Sequence, residues 1–266
     1  MQIELIGCTS AGKSTLAKKM LTVARQSGID LQFGDDFVIQ QIIKREIHNR
    51  ILRVFVVDIA SFSYCLLSWR QHYKYYFYAF QTIYNLQIKL LKKLNLARNI
   101  FKKIGIYEII RRRASHNQNV LVDEGTLHAA HNLFVSAAEI QNTYDISQFT
   151  RLTPFPDITV YLRQDKSALI YRTIKRRHKR IPDNSRRSVE RFVNRAVAIF
   201  DELAQQPEVN KRLITIQAAG DLEISIENQK NPQITPILDI LQSSSNTSSS
   251  NGMYYTGIPK PVEKGV

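Results

Sequence analysis

Short, unbroken apolar runs alternate with stretches of helical spacing along most of the chain. Residues 2–6 (QIELI) predict a buried strand, and residues 13–27 carry Leu16, Met20 and Val23 on one face before Gly28, predicting an amphipathic helix. A second short strand is predicted at 31–33 (LQF), leading into the acidic corner GDDF at 34–37. NVLVDEG (119–125) and DITVYLR (157–163) are further apolar runs without polar alternation, a pattern that suits parallel strands covered on both faces. Helices are predicted at about 127–142, 166–179 and 185–205, followed by a last strand, RLITIQA, and a helix, ITPILDIL. Strand and helix in turn predict an α/β fold with a doubly wound parallel sheet.

Residues 44–118 interrupt this alternation. They contain no proline and one glycine, Gly105, and their apolar residues recur at helical intervals, which predicts several helices inserted between the second and third strands. The most apolar part, VFVVDIASFSYCLLSW at 54–69, is too short to span a bilayer comfortably and carries Asp58. It reads first as a buried helix, with a membrane-surface or partner-docking helix as the other reading. YKYYFYAFQTIYNLQIKLLKK, 73–93, reads first as core plus a solvated basic edge; stacking on single-stranded bases is the lesser reading, and nucleic acid is not among the expected partners.

With 266 residues and 44% hydrophobic content, the chain has material for one elaborated domain, assigned here to residues 1–242. Residues 243–266 are rich in Ser, Asn, Gly and Pro and predict a disordered tail. The net charge of +14 favours anionic partners. Residues 44–118 account for +12 of it, through fifteen Lys and Arg against three acidic residues, so a peripheral membrane or protein contact through the insertion is an expectation. The oligomeric state stays open, a homodimer being one arrangement. Cys8 and Cys65 have neither metal-ligand nor disulfide-framework spacing, and the start, MQIELIGC, lacks a basic leader region; both fit a cytoplasmic protein.

The chemistry is concentrated at the ends of the predicted strands. Gly7, Cys8, Thr9, Ser10, Ala11, Gly12, Lys13 and Ser14 match the phosphate-binding pattern GxxxxGK[ST] between a strand and a helix. There, amide N–H groups turn inward and the helix N-terminus adds partial positive charge. Lys13 is expected to reach the β and γ phosphates of ATP and Ser14 to ligate Mg²⁺, with Thr15 a further candidate for the α-phosphate. Asp123, ending an apolar strand, is expected to hold a water of the Mg²⁺ shell across from Ser14. Glu124 could position a hydrolytic water, accept a proton from the acceptor, or simply end the strand. Asp35 and Asp36 fall at a strand's carboxyl end, where open α/β sheets bind ligands, and either could anchor or deprotonate an acceptor hydroxyl; a turn or helix N-cap is the competing reading. Arg172, Arg176 and Arg180 stand four residues apart after the fourth strand and would line one helix face, able to balance charge on a transferring phosphoryl group. His128 and His131 are candidates for the acceptor pocket, without the company a metal site needs.

The order of these parts, namely the N-terminal GxxxxGKS, the acidic corner, VLVDEG, PDITVYLR with its Arg-rich helix, and LITIQAAG, resembles the thymidylate kinase and deoxynucleoside kinase branch of the P-loop kinases. The resemblance covers about residues 1–43 and 119–241. It implies a three-layer P-loop NTPase fold with a five-stranded parallel sheet in the order 2-3-1-4-5. It also implies a lid at about 166–184, whose Arg172, Arg176, Arg180 and Arg177 embrace the phosphate, and adenine contact by the backbone around Ala218 and Ala219. Where the family commonly places an acceptor-binding arginine after the third-strand acid, this chain has Glu124, which points away from a phosphorylated acceptor such as dTMP. The leading expectation is an ATP-dependent kinase moving the γ-phosphate to a nucleoside, nucleotide or similar small molecule. An ATP-hydrolysing regulatory or membrane-docked module is the second, and a sulfotransferase using a phosphosulfate nucleotide the third.

Overall fold

The structure, a computed structural model, describes residues 1–44, 47–115, 117–135, 145–177, 181, 183–218, 237 and 239–241. Five parallel strands, β1 (Gln2–Ile6), β2 (Leu31–Phe33), β3 (Asn119–Asp123), β4 (Ile158–Gln164) and β5 (Leu213–Ala218), form one sheet in the order β2-β3-β1-β4-β5. The apolar runs became strands for the expected reason: β1 is buried along its whole length, and β4 is buried except at Arg163. The register sets Leu5 opposite Asp123 and Ile6 opposite Tyr161. With the strands parallel, the loop leaving β1 therefore emerges beside the carboxylate that ends β3.

Helix α1 (Lys13–Gln26) packs Leu16, Ala17, Met20 and Ala24 into the core, with Val23 half-buried at its edge. The acidic corner is the first turn of α2 (Gly34–Ile43), where Asp35 and Asp36 complement the positive end of the helix. The insertion consists of α3 (Arg50–Leu67), α4 (Trp69–Asn85) and α5 (Leu90–Arg113). Asn49 starts α3 by accepting from the amides of Ile51 and Leu52 at 2.9 and 3.2 Å. Gly105 explains the insertion's single glycine. A Cβ there would sit 2.0 Å from the carbonyl oxygen of Ser61, so α3 and α5 cross backbone against backbone. A second small core, containing Phe37, Val57, Ile109 and Val122, fastens α2, α3 and α5 to β3.

The burial predicted for 54–69 is only half realised. Helix α3 buries Val57, Ala60, Ser61 and Cys65, while Ile51, Phe55, Ile59, Phe62 and Leu66 face outward. The stretch is apolar around most of its circumference, and only one side of it meets α5. For 73–93 the core-plus-edge reading is realised in part: Tyr75, Tyr76, Ala79 and Ile83 are buried on α4 and Lys74 is exposed, but Tyr73, Phe77 and Tyr84 are exposed beside it. Among the described residues no single helix is long and apolar enough to cross a membrane.

Beyond β3, α6 (Ala129–Phe134) is shorter than the helix predicted at 127–142, whose remainder from 136 lies outside the described residues. Two short helices, α7 (Ile146–Leu152) and α10 (Pro207–Asn210), were not predicted. Helix α8 (Lys166–Arg176) is capped by Asp165 and α9 (Arg186–Gln205) by Ser185. Ile237 and Leu241 of the predicted last helix are buried, while the segment 243–266 lies outside the described residues.

Candidate functional site

The loop between β1 and α1 owes its shape to residues that tolerate positive φ. Gly7 has φ 142°, and a side chain there would stand 2.6 Å from the carbonyl oxygen of Leu162, so the loop lies tight against β4. Ser10 (φ 67°) and Gly12 (φ 100°) continue the turn, and Ala11 N donates to Cys8 O at 3.2 Å. Such turns face successive amides toward one concavity at the start of a helix, an anion-binding arrangement. Lys13 is buried, and its Nζ donates to the carbonyls of Gly7 and Cys8 at 3.0 and 3.2 Å. The cation is thereby folded over the loop.

Ser14 Oγ donates to Asp123 Oδ2 at 3.0 Å. Asp123 Oδ1 is buried and has no hydrogen-bond partner among the described residues. Burial pushes the Asp123 carboxyl above its ordinary range, opposed by the charge of Lys13 and the hydrogen bond from Ser14. A hydroxyl beside a carboxylate with an unengaged buried oxygen fits a hydrated Mg²⁺ ion, which takes oxygen ligands and keeps several waters.

Asp123 and Glu124 also open onto a cavity of about 370 Å³ at the carboxyl edge of β2 and β3. Asp35, Arg53, Asn99, Lys102, Lys103 and Asn132 line it as well. Lys102 pairs with Asp35 at 3.2 Å, and Lys103 donates to the backbone oxygen of Glu124. Asp36, in contrast, pairs with Arg53 at 2.5 Å and lines a different cavity. The two neighbouring carboxylates of the acidic corner are thus separated, and Asp35 is the one beside Asp123 and Glu124.

Glu124 adopts φ 73°, a left-handed conformation uncommon for a residue with a Cβ, at the turn that leaves β3. The turn is held from below by Glu4, which is fully buried on β1. Its carboxylate accepts from the amides of Leu127 and His128 at 3.2 and 2.8 Å and from Thr126 Oγ1 at 3.3 Å. Burial raises the Glu4 carboxyl, and those hydrogen bonds together with Lys103 oppose the rise. His128 and His131 do not line the cavity; both rings are buried against Phe200, 5.4 and 5.8 Å between centroids. His128 Nε2 lies 3.7 Å from Glu124 Oε1. Among the described residues, no cluster of three or more His, Cys, Asp or Glu forms a metal cage.

Helix α8 reaches the loop through Thr173, whose Oγ1 donates to Ser10 Oγ at 3.3 Å in a buried contact. Arg172 on α8 is half-buried and Arg176 is exposed, while Arg180 lies outside the described residues. Arg177 ends the helix with φ 51°. Ala218 is buried at the end of β5, Ala219 lies outside the described residues, and Thr9, Ser14 and Thr15 are accessible in the loop region.

Sequence reasoning did not single out Glu4, Thr173, Arg53, Lys102 or Lys103. A lone carboxylate inside the apolar run QIELI was a usable sign for Glu4. The three cations of the cavity were hidden among fifteen in the insertion, and only the packing of α3 and α5 distinguishes them.

No protein-family model matches this sequence, and no curated protein matches it. Among solved structures, the chain is similar to a deoxyadenosine kinase from M. mycoides with dCMP and dCDP bound, at 15% identity over 91% of this chain and 99% of that one, with a TM-score of 0.44. It is similar to a thymidylate kinase from Ehrlichia chaffeensis at 15% identity over 91% and 98%, TM-score 0.45, and to one from Candida albicans at 12% over 92% of both chains, TM-score 0.44. At this distance the likeness assigns no substrate.

Proposed function

We propose that the protein is an ATP-dependent phosphotransferase that moves the γ-phosphate of MgATP to a small acceptor held between β3 and the insertion. The observation that carries this reading is the convergence of three parts at one sheet edge: the loop with Lys13, the Ser14–Asp123 pair, and the cavity bearing Asp35 and Glu124. Transfer to a second molecule requires a chamber beside the phosphate site, and a hydrolase needs only a water there.

In this reading the amides of residues 7–14 and Lys13 hold the phosphates, and Ser14 and Asp123 hold the Mg²⁺. When bound there, the ion would supply charge neutralisation to the phosphates. The adenine lies near Ala218. Asp35 takes the proton from the acceptor hydroxyl, or Glu124 does; both carboxylates line the cavity. If the acceptor is itself a phosphate, no base is needed, and Arg53, Lys102 and Lys103 balance its charge. Arg172, Arg176 and Arg180 bring cations to the equatorial oxygens as charge redistributes, with Thr173 seating their helix on the loop. ATP turnover measured with and without a panel of nucleosides, nucleotides and sugars tests the proposal. A phosphorylated acceptor is expected; hydrolysis indifferent to every compound would favour the regulatory ATPase, and tight binding of a phosphosulfate nucleotide with no affinity for ATP would favour the sulfotransferase.

A further inference from the structure

The outward face of the insertion is more apolar than the proposed kinase chemistry requires. Ile51, Phe55, Ile59, Phe62 and Leu66 recur every three or four residues along one side of α3 and are exposed. At the end of the stripe α3 meets α4 at 107° across Ser68, and the corner carries Leu67 (68% exposed) and the chain's single tryptophan, Trp69 (42% exposed). Tyr73 and Phe77 extend the exposed apolar surface onto α4. Exposed apolar residues in such a run mark a surface that meets something.

The charge around this face says what. Helices α3, α4 and α5 contain two acidic residues, neither exposed: Glu108 is buried, and Asp58 is partly buried and bonded to Arg98. Arg50, Arg70, Lys74 and Lys92 are all exposed on the same helices, with Lys89 at the start of α5. At the N-terminal end of the stripe, a second cavity of about 660 Å³ is lined by Lys44, His48, Arg50 and Arg53, with Asp36 paired to Arg53. A second copy packed on this face would set a mostly basic rim, whose carboxylate Asp36 is already paired to Arg53, against itself, a repulsive arrangement. An anionic bilayer answers both features: acyl chains accept the Leu, Phe and Trp side chains, and anionic headgroups accept the Arg and Lys rim.

We propose that the α3–α4 elbow docks the protein onto anionic lipid bilayers, inserting the Leu66–Trp69 corner and the α3 stripe into the interface while the basic rim and the Lys44–Arg53 cavity engage headgroups. The docking is peripheral: the bent pair lies in the membrane surface and does not cross it. It leaves Asp35, Asp123 and the glycine-rich loop unused and shares only Arg53, which lines both cavities, with the proposed acceptor chamber.

Trp69 provides a built-in reporter. The full chain is mixed with vesicles of phosphatidylcholine alone or of phosphatidylcholine with phosphatidylserine, then sedimented, with tryptophan emission followed in parallel. The expected result is co-sedimentation with the anionic vesicles, a blue shift of Trp69 emission, quenching by brominated acyl chains, and weakening by added salt. Phe55→Glu with Leu67→Glu lowers the vesicle affinity at least about tenfold while ATP binding stays at the wild-type level. Arg70→Glu with Lys74→Glu, which leaves every apolar residue of the surface in place, weakens binding to the same vesicles and serves if the first variant does not fold. Absence of binding, binding without any change in Trp69 emission, or a wild-type dimer that the first variant dissolves would each overturn the proposal, the last in favour of self-association.

Discussion

Lys13 is buried with its ammonium donating to two carbonyls of its own loop, and as the cation proposed to hold the phosphates it is the simplest residue to test. Lys13→Ala is expected to lower ATP turnover by about 100-fold or more, with far-ultraviolet circular dichroism unchanged, since the side chain contributes no core packing. Asp35 and Asp36 are adjacent in sequence but line different cavities, so their variants should diverge. With Asp35 as the base for an acceptor hydroxyl, Asp35→Asn is expected to reduce kcat by about 100-fold, whereas Asp36→Asn should leave kcat within a factor of about two; a large loss from Asp36→Asn with none from Asp35→Asn would mean that the cavity is not the acceptor chamber. On the proposed lid role, Arg176→Ala should lower kcat by about 10-fold or more while the ATP dissociation constant changes little, because such an exposed cation would act only as the transferring group develops charge.

The insertion depends on two residues that hold its helices together. Gly105→Ala would drive a Cβ into the Ser61 backbone, and a cost of about 3 kcal/mol is expected in denaturant titrations. Glu108 is buried between His72 on α4 and Arg111 and Arg112 on its own helix, with contacts of 2.9 Å to the histidine and to both guanidinium groups. Burial pushes its carboxyl up, but those hydrogen bonds outweigh it and hold the group down at about 2. A carboxylate depressed below its unfolded value stabilises the fold above the unfolded value and loses that contribution as the pH falls toward the folded one. Stability should therefore drop between about pH 4.5 and pH 2, and Glu108→Gln should flatten that limb while costing about 3 kcal/mol at neutral pH. At this scale the sequence was legible wherever a pattern has one structural solution. Runs such as VLV at 120–122, apolar at successive positions, fit a strand buried on both faces. Helix α3 was less legible because its apolar residues go most of the way round, so periodicity could not say that one side would meet α5 and the other would meet nothing among the described residues. His128 and His131 were misplaced for a related reason: their spacing fits a pocket as well as a core, and Phe192 and Phe200, which enclose them, come from a distant helix.

Across the whole molecule, the sheet order and the parallel register bring the loop after β1 beside Asp123, and the insertion closes the neighbouring space with cations. The phosphate-binding half of the site was readable as a contiguous motif, because one loop supplies it. Of the cavity proposed to hold the acceptor, only Asp35 and Glu124 were readable, since Arg53, Lys102 and Lys103 reach it from helices far away in sequence. Both halves must be present for transfer, so the fate of one phosphate decides the account. The most direct measurement follows the γ-phosphate of MgATP by phosphorus NMR, with wild-type protein and Lys13→Ala, in the presence of nucleosides, nucleotides and sugars. The account predicts that the signal moves into a new phosphoester or phosphoanhydride of one acceptor class and that Lys13→Ala abolishes the transfer; release of inorganic phosphate alone, at the same rate with every compound present, would contradict it.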